Sequence, residues 1–167
     1  MGTPAVTPVR RLSRAARLWL ASAAGIAVIA ALTNVTARDV AHQSLSFTFP
    51  SRASLADLEV VVVHNGVLAA AILVAARGPS RSLDVALGIA WLANVVLAGV
   101  ALGAYGWRLV AHAGAYAAIE LAAWCVPIAA YINARAGDPQ PTVSESGMTI
   151  VLIGAAAVLE TILPVRL

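Results

Sequence analysis

There is no lysine in this chain of 167 residues; all 11 of its basic residues are arginine. Charged residues make up 11% of the total and aromatic residues 5%, with both phenylalanines confined to positions 47 and 49. A soluble domain is about a quarter charged. Charge this scarce excludes a water-soluble enzyme and a disordered polar tail alike. The single cysteine, Cys125, excludes an internal disulfide and a cysteine-rich metal site. A net charge of +3, scattered along the chain, leaves no basic patch for nucleic acid. No Walker loop, no Gly-x-Ser-x-Gly elbow and no His-Glu-x-x-His motif occurs, so the chain does not hydrolyse ATP by itself and no cofactor or metal is predicted.

What is present is apolar surface. Hydrophobic residues reach 60% and the mean hydropathy is +0.85. This predicts an all-α, polytopic transmembrane helical bundle that forms a single domain over residues 1–167, with the lipid bilayer as its first partner. Spans are expected at 18–35, 55–76, 83–105, 109–134 and 148–163, about five in all, with four and six as the alternatives. Residues 137–141 form a polar loop, a backbone course that lipid does not tolerate. The tail at 1–9 is rich in Pro and Thr and reads as disordered. Arg10, Arg11, Arg14 and Arg17 then lead into the first span. That arrangement also fits a cleaved signal peptide, but its apolar stretch exceeds the about 7 to 15 residues usual there, which favours a retained helix.

Arginine bias sets the expected orientation. With the N-terminus inside, Arg10, Arg11, Arg14, Arg17, Arg77, Arg81 and Arg135 lie on the cytoplasmic side, against Arg38, Arg52, Arg108 and Arg166 outside. The longest outer connection, 38–54, includes His42, which reads as solvated, and an alternating stretch at 45–49. That stretch suits either a short strand for a partner peptide to join or a surface segment with its phenylalanines in lipid.

Ionisable groups inside a span are costly, and so become the default functional candidates. The second span carries Asp57, Glu59 and His64 beside Asn65; the third carries Asn94; the fourth carries His112, Tyr116 and Glu120; the fifth carries Glu160. At 1.5 Å per residue, His64 and Glu120 both lie roughly 13 to 17 Å from the outer surface, with Asn94 at similar depth. His64 and Glu120 are therefore the candidate catalytic pair, with His112, Tyr116 and Asn94 in support. His112, Tyr116 and Glu120 follow i, i+4, i+8 and form one stripe. Pro127 removes a backbone hydrogen bond below that stripe and is expected to bend the helix. A His–Glu pair at this depth suits proton abstraction, general-base assistance or a proton relay. The competing reading is that the same groups hydrogen-bond neighbouring helices together. Gly99 and Gly103, continued by Gly106, offer a smooth face for close helix contact, and so thin a bundle suggests a partner chain or a homodimer. Ser144 and Ser146 fall in a loop.

The stretch 55–137 resembles the stage II sporulation protein M family. The likeness rests on Asn65-Gly66 after His64, within a helix, and on His112-Ala113-Gly114 with Glu120 further along the same helix. The family pairs His directly with Gly after a Pro and places its Glu where Tyr116 stands here. The resemblance implies a multi-pass protein of a bacterial cell membrane that works within a larger assembly, beside a cell-wall hydrolase, an export ATPase or a peptide-processing enzyme. It transfers His112 and Glu120 as positions only, without a catalytic role.

Three functions follow as expectations. The first is a membrane subunit of a heteromeric complex in export or maturation of a peptide or envelope component, partnered by another membrane protein, an export ATPase or a processing enzyme. The second is an intramembrane acid/base enzyme, for example a peptide epimerase acting with a partner chain through His64 and Glu120. The third is a non-catalytic scaffold.

Overall fold

The computed structural model describes residues 8–44, 55–137 and 142–162. The tail before residue 8 and the alternating stretch at 45–49 lie outside the described residues. The chain is an all-α helical bundle, with no strand among the described residues. In order it forms α1 (Pro8–Thr36), α2 (Arg38–Ser44), α3 (Leu55–Ala75), α4 (Arg81–Tyr105), α5 (Trp107–Arg135) and α6 (Val143–Ile162). Three stretches are long and apolar enough to cross a membrane: Arg14–Thr36, Arg81–Tyr105 and Tyr116–Arg135. Val62–Ala75 and Val143–Leu159 are shorter apolar helices. This composition is compatible with a membrane protein.

Helix ends depart from the hydropathy boundaries where local chemistry outweighs apolarity. The basic run Arg10–Arg17 is the first part of α1, because nothing there breaks the helix and arginine is a good helix former. α6 starts at Val143, ahead of the apolar run, on a reciprocal cap: the backbone N–H and hydroxyl of Thr142 donate to Glu145 Oε2 at 2.7 and 3.0 Å, and the N–H of Glu145 donates to Thr142 Oγ1 at 3.2 Å. Ser144 and Ser146 therefore lie in the first turn of α6, not in a loop, and Ser146 Oγ donates to the Thr142 carbonyl at 3.3 Å. α2 is a helical continuation beyond α1, bridged by Ala37 N–H to Thr33 O and Ala41 N–H to Ala37 O, each 2.9 Å. α4 and α5 are joined by Gly106 alone, at φ 64° and ψ −144°, a backbone region that only glycine occupies without strain.

α5 is the central helix. It touches α1, α3, α4 and α6, and 44% of its apolar window is buried, against 11% for α1 and for α4. α1 and α4 pack against each other on one side of it, α3 and α6 on the other. Apart from α5 and α6, the main spatial neighbours are thus not chain neighbours, and α3 and α4 share no sustained contact although a short turn links them. Ala15, Cys125, Val126 and Ala129 form one buried cluster, Ala69, Ala123 and Ile153 a second, and Ile72, Ala76 and Tyr131 a third. Pro127 sits within α5, fully buried.

The smooth glycine face works inside the chain. A Cβ on Gly99 would stand 2.6 Å from Ile29 Cβ, and one on Gly103 would stand 2.6 Å from both the Ala30 carbonyl oxygen and Thr33 Cβ, all on α1. The missing side chains let α1 and α4 run in the same direction in close contact, and Asn34 Nδ2 donates across the seam to the Gly103 carbonyl at 3.1 Å.

Candidate functional site

Glu120 lies near the middle of α5 and Asn65 at the middle of α3. The Asn65 amide Nδ2 donates to Glu120 Oε1 at 3.1 Å, joining the two helices within their apolar length. The contact depends on small neighbours. About one turn further along, Ala69 of α3 and Ala123 of α5 are buried against Ile153 of α6, so the backbones approach closely enough for a short asparagine to reach. Both side chains are half-buried. An amide–carboxyl bond of this kind inside a bundle contributes about 0.6 to 2 kcal/mol.

His64 is one residue from Asn65, and the 100° step per residue turns it away from Glu120 onto an exposed side of α3. It is exposed, makes no hydrogen bond or ion pair with Glu120, and lines a shallow open groove with Glu59, Val63, Val67 and Leu68. Asn94 is also exposed, and its Nδ2 donates back to the Ala90 carbonyl of its own helix at 2.8 Å. His64, Asn94 and Glu120 are therefore not brought together: Glu120 meets Asn65, while His64 and Asn94 are exposed on helices that share no sustained contact. Tyr116 lies one turn from Glu120 on α5 and is half-buried. His112 and Glu160 stand in α5 and α6, and their side chains, like that of His42, lie outside the described residues.

A second set of polar contacts gathers at the arginine-rich end, where reading the spans one at a time gave no sign of it. Asp84, in the first turn of α4, receives Arg135 Nε on Oδ2 at 3.0 Å and the Tyr131 hydroxyl on Oδ1 at 2.8 Å. The same hydroxyl lies 3.1 Å from the Ser80 carbonyl, and Ser80 Oγ caps α4 by accepting from Leu83 N–H at 3.4 Å. These contacts clamp the α3–α4 turn onto the last turn of α5. Arg14 of α1 donates to Asn133 Oδ1 of α5. Asn133 is 2% exposed, and its Nδ2 has no hydrogen-bond partner among the described residues. Thr149 Oγ1 donates to the Glu145 carbonyl at 2.9 Å within α6. Two signals were present in the sequence: the Thr142-x-x-Glu145 capping pattern, and Tyr131 and Arg135 one turn apart on a single face.

Cys125 is buried and free. Among the described residues no three His, Cys, Asp or Glu side chains are grouped to hold a metal ion. Chemically, the mid-bundle pair is an interhelical tie, and the terminal set is an ion-pair clamp. No family model, no curated protein and no solved structure matches the chain.

Proposed function

We propose that this chain is an integral membrane subunit of a larger bacterial assembly, without ATPase activity of its own, serving export or maturation of a peptide or envelope component. The observation that carries this reading is the Asn65–Glu120 hydrogen bond. It uses the mid-bundle carboxyl to hold α3 to α5, and it leaves broad apolar faces on α1 and α4 turned outward for other chains. The finer part, export or maturation, draws its support from the resemblance of 55–137 to the stage II sporulation protein M family. Orientation with the N-terminus cytoplasmic is supported by the gathering of Arg14, Arg17, Arg77, Arg81 and Arg135 at one end of the bundle, where Arg14 meets Asn133 and Arg135 meets Asp84.

The test is purification from the native membrane in a gentle detergent, with mass spectrometry of the accompanying chains, for the natural protein and for Glu120→Gln. A stoichiometric membrane protein, ATPase or processing enzyme recovered with both supports the subunit reading, since glutamine retains an acceptor for Asn65. Recovery of the chain without any other protein would overturn it. Loss of a processing activity in Glu120→Gln with the complex intact would transfer the assignment to acid/base catalysis at Glu120.

A further inference from the structure

α3 has two faces of different character. Asn65, Ala69 and Ile72 point into the bundle. Val63, Val67, Ala70 and Val74 point out, the valines 55%, 62% and 61% exposed in that order. Their spacing of four, three and four residues is that of the a and d positions of a heptad. Among the described residues no other element covers this stripe: α3 packs on α5 and α6 and shares no sustained contact with α4.

An outward apolar face alone is satisfied by lipid, as on α4, where Val85, Ile89 and Leu92 are comparably exposed. What separates α3 is its flanks. Glu59 borders the stripe on one side and His64 on the other; both are exposed, and neither makes a hydrogen bond or ion pair among the described residues. Ionisable groups on a lipid-facing helix are costly unless a partner meets them. Within the apolar length of α4 the exposed polar residue is Asn94, which is satisfied by its own helix. With Val63 at d and Val67 at a, Glu59 occupies g and His64 the following e. In a parallel two-stranded coil, position g of one helix meets e of the other five residues further on, and 59 and 64 have that separation.

We infer that the α3 stripe is a self-association surface: two copies of this chain pair in parallel along it, each Glu59 meeting the partner's His64. Copies inserted by the same route share one orientation, so the parallel arrangement is the one the membrane presents. The two contacts are equivalent by the two-fold axis, one on each side of the apolar seam. Valine at a favours two strands, and Ala70 at d lets the helices approach. The surface goes beyond the subunit reading above and leaves the α1 and α4 faces, on the far side of α5, to other proteins.

Disulfide trapping in lipid vesicles tests this with Val67→Cys in the stripe and Ile89→Cys on α4. Cys125, 1% exposed, stays out of the reaction. Val67→Cys is expected to form a covalent dimer and Ile89→Cys to remain monomeric. Glu59→Arg and His64→Glu, each added alone to Val67→Cys, place two basic or two acidic groups opposite one another and should lower the trapped fraction about tenfold. Mixing these two variants restores opposite charges at both contacts and should restore trapping as heterodimers. Absence of a Val67→Cys dimer overturns the inference, as does trapping undiminished in both charge variants, or capture of a different membrane protein in place of a second copy. Shielding of Cys125 reports whether each charge variant is folded. Should either unfold, the Val67→Cys and Ile89→Cys pair decides the matter.

Discussion

Glu120 and Asn65 show how a polar residue within an apolar helix is accommodated: each satisfies the other, and the desolvation that would penalise either alone is offset. Asn65→Ala and Glu120→Ala should each cost about 1 to 2 kcal/mol, and the double variant little more than either single one, with a coupling of about 0.6 to 1.7 kcal/mol in a double-mutant cycle. Glu120→Gln should stay within about 0.5 kcal/mol of the natural protein, because the amide still presents an oxygen. Unfolding by a denaturing detergent in mixed micelles reads all four. Glu120 stands out in the sequence as a carboxyl within an apolar run, and Asn65 is next to the histidine expected to meet it. The choice between His64 and Asn65 was not legible, because one residue of rotation separates inside from outside and the neighbour of α3 is set by the whole bundle.

Elements here are held by close backbone approach more than by large side chains. Gly103 is the sharpest case, since its absent Cβ would meet the Ala30 carbonyl oxygen at 2.6 Å, an atom fixed in the α1 backbone. Gly103→Ala should therefore destabilise by about 1 to 3 kcal/mol by forcing α1 away from α4. Gly88→Ala on the same helix, where a Cβ meets nothing within 4 Å, should stabilise by up to about 1 kcal/mol through helix propensity alone. Opposite signs for one substitution in one helix, read by thermal unfolding in detergent, separate packing from propensity. The existence and type of the long helices follow from hydropathy and period. Their ends do not, because Thr142 with Glu145, Ser80 and Gly106 set them through hydrogen bonds and backbone conformation that an apolarity window averages away. The glycine pair was readable as a contact surface; that α1 would fill it was not, since sequence spacing carries no information on which helix arrives.

At the scale of the molecule, α5 is the axis on which two helix pairs are assembled, and the only thiol lies on it. Cys125 is 1% exposed, between Ala15 on α1 and Val126 and Ala129 on its own helix. A maleimide should leave it unmodified in the folded protein and label it once the α1–α5 contact opens, so the labelling rate should track global unfolding across the Gly103 and Asn65 variants. A thiol that reacts at the rate of a free cysteine in the folded protein would show that α1 leaves α5 readily. Fold class was fully legible, because 60% hydrophobic content in helix-length runs admits few alternatives. The order of helices around α5 was not, because apolar faces of similar composition can pair in several ways and only shape at Gly99, Gly103 and Ala69 selects among them.

That order has a consequence for how the chain comes into being. A nascent chain that has delivered α1 and α3 to the bilayer has made no lasting contact between them, since among the described residues α1 packs on the adjoining α2 and on α4 and α5, and α3 on α5 and α6. The first half of the protein is therefore held in place by lipid alone until α4 emerges and α1 settles along its glycine face. α3 waits longer, until the emerging α5 supplies the surface on which it and the α1–α4 pair are brought together.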